Sequence, residues 1–146
     1  MSADFELSRF RSAQDSGATY DRAVTELRAG RKATHWMWFV FPQLDGLGQS
    51  ATAKAYAIRS LAEARAYLRD PILGARLLEC ASIVAGMPGV SVEHIFGALD
   101  AIKLRSSMTL FARAAPGTEI FAELLAVHFD GLLDPATEAL LEKPET

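Results

Sequence analysis

The amino-acid sequence predicts an all-α fold, a multihelical and orthogonally packed single domain, and three observations predict it. Apolar residues recur at helical spacing, as in Tyr20, Ala23, Val24 and Leu27, which fall at i, i+3, i+4 and i+7. Helix start and stop signals punctuate the chain at short intervals, and no internal repeat, low-complexity tract or linker divides the series. Half of the 146 residues are hydrophobic. A chain of that size buries roughly two thirds of its unfolded surface, so one core suffices without disulfide or structural metal.

Each element has its own local signature. Asp4 is placed to cap a first helix from Phe5 to about Gln14, with Leu7 and Phe10 on one side, and Asp15-Ser16-Gly17 reads as a turn. The Tyr20 to Leu27 stripe forms the second helix, stopped by Gly30. His35 to Phe41 is apolar at nearly every position, so periods of two and of 3.6 are indistinguishable there, and Pro42 ends whatever forms. Leu44 to Gly48 is a glycine-bearing loop, and Ser50 starts a short helix to about Ile58. Ser60 with Glu63 is a capping-box pattern for a helix to about Arg69, and Asp70-Pro71 repeats the start signal. Leu73, Leu77, Cys80, Ala81 and Val84 face the core from that next helix, which Met87-Pro88-Gly89 ends. Ser91 caps a single turn through Phe96, and Asp100 is the expected cap of a longer helix to about Ala114. After Pro116-Gly117, Thr118 restarts the chain to about Phe129, and Asp134-Pro135 opens a last short helix before a tail from Glu142 that frays.

Charge and composition exclude several function classes. A net charge of -3 with no long basic run gives no bulk attraction to nucleic acid. The longest apolar stretch, Trp36 to Pro42, is far short of the ~20 residues of a membrane-crossing helix. A single cysteine and a charged Met1 to Gln14 segment without the apolar core of a signal peptide point to a reducing, cytoplasmic compartment. His35, His94 and His128 are scattered, so no metal site and no cofactor is expected.

Two segments carry candidate chemistry. In the first, Arg31, Lys32 and His35 lead into Trp36 and Trp38, a junction of cations and aromatic faces that suits an anionic, aromatic ligand. The plainer alternative leaves the cations solvated and the tryptophans in the core. Gln43 with Gly46 and Gly48 follows, where glycines let backbone donors approach a ligand. In the second, Lys103, Arg105, Ser106 and Ser107 follow the expected start at Asp100. Cations in the first turns oppose the helix dipole by about 0.3–1 kcal/mol each, which points to an anion or a carboxylate partner there. Lys103 and Arg105 lie about 160 degrees apart on the helix, so Lys103 with Ser107 is the better pair. Lys103 is also a candidate nucleophile if desolvated, and His35 a candidate acid or base. Cys80, on an apolar helical face, reads as inert core.

On these residues, above all Arg28-Ala-Gly-Arg-Lys32, His35-Trp-Met-Trp-Phe-Val-Phe-Pro-Gln43, Ile95-Phe-Gly97 and Lys103-Leu-Arg-Ser-Ser-Met-Thr-Leu-Phe111, the chain resembles the bacterial DUF1810 family, a domain of unknown function. The resemblance spans nearly the whole chain and implies a small, mostly helical fold; it carries no activity or catalytic residues over. Some members bear the label calpastatin, but inhibitors of that name are long disordered repeats, unlike this composition. The layout is also distantly similar to the NADAR proteins that act on ADP-ribose linkages, though their motifs are not copied here.

Two functional readings follow. One is a pocket in which His35, Trp36, Trp38 and Gln43 meet Lys103, Arg105, Ser106 and Ser107 around a phosphorylated or nucleotide-like small molecule. The other is a non-catalytic interaction or regulatory module, a homodimer for instance, in which the same motifs build core and partner surface. The first requires one concave cleft shared by both motifs; the second expects a fully packed aromatic segment, Lys103 and Arg105 paired with carboxylates such as Asp100 or Asp45, and no uniting cleft, and is favoured by a large exposed apolar patch.

Overall fold

Residues 5–142 are described by the structure, a computed structural model. Asp4 and the tail beyond Glu142 lie outside the described residues, so neither the expected first cap nor the expected fraying is observed. The first helix, α1 (Ser8–Asp15), begins later than Phe5 and buries Phe10 and Gln14. A tight turn through Gly17 and Ala18, both at positive φ, reverses the chain into α2 (Thr19–Arg28). There Ala23 and Leu27 are buried and Tyr20 and Val24 pack beside them, the predicted stripe.

The ambiguous aromatic segment resolves into one helical turn, α3 (Met37–Val40), ended as Phe41 leaves helical geometry ahead of Pro42. Ser50 caps α4 (Ala51–Ala55) by accepting from the Ala53 amide, but this helix stops short of Ile58. Ile58 is taken by a parallel bridge instead: its amide donates to Gln43 and its carbonyl accepts from Asp45.

Side-chain caps open two of the next three helices. Ser60 accepts from the Glu63 amide at the start of α5 (Leu61–Arg69), while the Glu63 carboxylate accepts from Arg59 rather than closing the box on Ser60. Asp70 accepts from the Ile72 and Leu73 amides, but α6 (Leu73–Ala85) begins only after Ile72, two residues beyond the start expected at Pro71, so Asp70 closes the turn before the helix and is not its cap; Ser91 accepts from the His94 amide in α7 (Val92–Phe96).

One boundary corrects the sequence reading. Helix α8 (Ala98–Ala114) starts directly after Gly97, which holds φ 82 and ψ 163, so Asp100 sits inside the first turn and is not the cap. Two further helices, α9 (Glu119–Phe129) and α10 (Pro135–Glu142), complete the chain. The Asp134 carboxylate accepts from the Thr137 amide and hydroxyl at the start of α10.

Helix α8 packs on α5, α7, α9 and α10, and α6 packs on α2, α5 and α9. This central position explains why α8 is buried on more than its predicted Leu104, Ser107, Met108 and Phe111 face: Ala101, Ser106, Thr109, Leu110 and Ala114 are buried too. Burying each large apolar side chain contributes roughly 1.5–3 kcal/mol. Ser106 and Thr109 are tolerated because their hydroxyls donate to the Ile102 and Arg105 carbonyls one turn back. The fold is all-α, and among the described residues no helix is long and apolar enough to cross a membrane.

Candidate functional site

The site is assembled from the loop between α2 and α3 and the first two turns of α8. Glu26 on α2 holds that loop. Its carboxylate accepts from the Ala33 and Thr34 amides, the Thr34 hydroxyl and the Trp36 indole N–H, at 2.6–3.0 Å. Burial works against the charge, but the Thr34 hydroxyl and the other donors outweigh it and hold the Glu26 carboxyl at about 2. With the loop pinned, the Lys32 amide donates to the Ile95 carbonyl at the end of α7. The Lys32 side chain then reaches Asp100 in the first turn of α8.

Asp100 joins two lysines. Its Oδ2 lies 3.0 Å from the Lys32 amine and its Oδ1 3.2 Å from that of Lys103, one turn further along α8. The Lys103 amine also sits 4.6 Å from the centre of the Trp38 ring, and the Lys32 amine 5.2 Å from that of Trp36. Both pairings attract a cation to the negative face of the ring. The Lys32 side chain is only 9% exposed, so it is not the solvated cation of the plainer sequence reading.

A cleft of about 440 Å³ opens over this group, lined by Lys32, His35, Trp38, Gly97, Leu99 and Lys103 among others. The amides of Ala98, Leu99 and Asp100 precede the first hydrogen bond of α8, donated by Ala101 to Gly97, so the positive end of the helix borders the cleft. A second cleft of about 350 Å³ shares Leu99 and Lys103 with the first and is lined also by Gln43, Gly48, Ser106, Asp134 and Ala136, among others.

The structure thus brings together five of the residues picked from sequence: His35, Trp38 and Lys103 at the first cleft, Gln43 and Ser106 with Lys103 at the second. Three others have different surroundings. Trp36 is fully buried with its indole nitrogen bonded to Glu26. Arg105 donates to the Leu132 and Leu133 carbonyls and fastens the segment after α9. Ser107 is buried in the core without a hydrogen-bond partner among the described residues.

The pairing of Lys103 with Ser107 is therefore corrected. Side chains on a helix lean toward its N-terminus, which takes the Lys103 amine back to Asp100 and away from Ser107. The helix-dipole argument also changes. With α8 starting at Ala98, Lys103 lies beyond the first turn, and Asp100 occupies the turn where a negative charge is favoured.

Sequence reasoning missed Glu26, Asp134 as part of a cleft, and Lys32 as a partner of Asp100; the pairing of Lys103 with Asp100 is the one the interaction-module reading expected, while its expected partner for Arg105 is replaced by the Leu132 and Leu133 carbonyls. Glu26 had no signal, since a lone helical glutamate reads as solvated surface, and Asp134 was visible only as a helix-start residue. Elsewhere, burial pushes the Cys80 thiol up to about 12, so it stays un-ionised near neutral pH. Tyr20 donates to Glu79, and burial raises its phenol well above the usual range. His128 lies 2.7 Å from the Val84 carbonyl, away from both clefts. Among the described residues no group of three or more His, Cys, Asp or Glu is placed to hold a metal ion.

No protein of curated function matches the chain. A solved structure does: that of the conserved hypothetical protein Rv1873 from Mycobacterium tuberculosis, with 52% sequence identity, a TM-score of 0.93, and coverage of 97% of this chain and 100% of that one. The family model described as protein of unknown function, DUF1810, matches residues 4–141, and the chain belongs to that family.

Proposed function

We propose that the cleft between the α2–α3 loop and the start of α8 binds a small anionic molecule, of phosphorylated or nucleotide-like chemistry. The observation that carries this reading is the convergence of two lysines from distant segments on one carboxylate at the positive end of α8. One Asp100 cannot neutralise Lys32, Lys103 and the helix dipole together, so the cleft keeps a net positive field in a partly desolvated setting. Trp38 and the apolar Leu99 offer a flat and an apolar surface for the rest of the ligand.

Roles follow from the surroundings. Lys103 is assigned to anion binding, its amine ion-paired to Asp100 and resting on the Trp38 ring at the mouth of the cleft. His35 is exposed at the cleft and is the one imidazole placed to exchange a proton with a bound ligand. A reducing cytosol is the compartment that fits the lone buried Cys80.

A thermal-shift screen against nucleotides, ADP-ribose, NAD and sugar phosphates tests the reading, with Lys103→Ala and His35→Ala as controls. A ligand at about 100 times its Kd adds about 2.7 kcal/mol, a rise of several degrees in Tm. We expect one compound to stabilise the parent and neither folded variant; no response from any of them sinks the proposal.

A second reading, an interaction module or homodimer, is favoured by a different observation. Leu99 and Ile102 on α8 are 76% and 61% exposed, and Leu132 and Leu133, whose carbonyls are held by Arg105 of the same helix, are 59% and 39% exposed. Apolar side chains grouped in this way suit a partner surface.

A further inference from the structure

We propose that the second cleft is a subsite for the hydroxyl-bearing part of the same ligand, which makes that ligand a phosphorylated sugar or polyol; this rests on the anion-binding reading above. The two clefts share Leu99 and Lys103, so a ligand held at Lys103 has direct access to both.

Their polar groups are opposite in kind. The first offers two ammonium groups and free helix amides. The second contains the Asp134 carboxylate, whose residue is 8% exposed. Oδ2 of Asp134 accepts from the Thr137 hydroxyl at 2.6 Å and the Thr137 amide at 3.0 Å, and it lies 3.1 Å from the Ser106 hydroxyl, whose one proton it shares with the Ile102 carbonyl. Its Oδ1 has no hydrogen-bond partner among the described residues.

The two bonds from Thr137 to one oxygen hold the side chain and leave the other as an acceptor on a residue that lines the cleft. A carboxylate accepts hydrogen bonds and repels anions, so the group it selects is a donor, and a phosphate is directed to the lysine side. The Gln43 carboxamide lines the same cleft, also without a partner among the described residues, and supplies a donor and an acceptor for a neighbouring hydroxyl. The charge asymmetry therefore sets the direction of binding: anion at Lys32 and Lys103, hydroxyls at Asp134 and Gln43.

The test is an NMR titration of the ¹⁵N-labelled full chain with inorganic phosphate and, separately, ribose 5-phosphate. Both probes are expected to move the amide resonances of residues 97–100, and only ribose 5-phosphate those of Gly48 and Ala136. Ribose 5-phosphate should bind about tenfold more tightly, the size of one charge-assisted hydrogen bond. Asp134→Asn should abolish that gain while phosphate affinity holds or rises, because the retained side-chain oxygen still accepts from Thr137 and a charge that repels anions is gone. Gln43→Ala, which removes no helix cap, should reduce the gain and serves if Asp134→Asn does not fold. Equal affinity for the two probes, or a gain that survives both substitutions, overturns the subsite while leaving the anion site standing. A parent protein whose residues 97–100 do not respond to phosphate overturns both.

Discussion

Glu26 shows how much of this site depends on one side chain outside it. Four donors converge on its carboxylate, and they come from the segment that carries Lys32 and His35 into place. Because its folded-state carboxyl is held at about 2, below the ordinary 4.5, the stabilisation from these bonds is complete above about pH 4.5 and is lost as pH falls through 2. Glu26→Gln should cost about 1–3 kcal/mol at neutral pH, where bonds to a charge are replaced by weaker neutral ones. Urea unfolding at pH 7 and again near pH 3 checks this: the gap between parent and variant should narrow in acid, and a gap of constant size refutes the assignment. Nothing in the sequence marked Glu26, because its partners Thr34 and Trp36 lie beyond a turn whose path the local residues do not specify.

At the scale of elements, α8 organises the molecule and Gly97 determines where it begins. The φ of 82 and ψ of 163 at Gly97 belong to a region that glycine alone enters readily, and no atom lies within 4 Å of where a side chain would start. Gly97→Ala should therefore destabilise through backbone strain alone, by about 1–3 kcal/mol. Gly89→Ala is the matched control: it also meets nothing within 4 Å but has no positive φ, and should change stability by less than about 1 kcal/mol. Thermal denaturation of the two variants decides it, and equal effects would show that the Gly97 geometry is not what sets the start of α8. The sequence placed this helix three residues late because Asp100 is a good cap by composition, while the need for positive φ at Gly97 arises only where α7 meets α8.

At the scale of the whole molecule, the exposed Leu99 and Ile102 of α8 also line the clefts, so the two proposed readings, ligand binding and association, claim one face. Ile102 is 61% exposed, and Ile102→Asp should leave stability within about 0.5 kcal/mol. Under the ligand-binding reading, sedimentation velocity should give a monomer at every concentration for parent and variant alike. A dimer that Ile102→Asp dissolves would instead identify the apolar patch as an interface.

By itself the sequence determined the helical class and most helix starts. Ser50, Ser60, Ser91 and Asp134 each cap by accepting from the amide three residues on, an interaction complete within one turn and thus readable locally. It also brought forward His35, Trp38, Gln43, Lys103 and Ser106, which the fold gathers at the clefts. Tertiary structure alone decided that the aromatic run is a single helical turn, that the half-buried Lys32 pairs with Asp100, and that Trp36, Ser107 and Arg105 serve the core and the segment after α9. The physical reason is range: caps and stripes are set by neighbours along the chain, whereas ion pairs and clefts join segments that meet only once the core around α8 has formed.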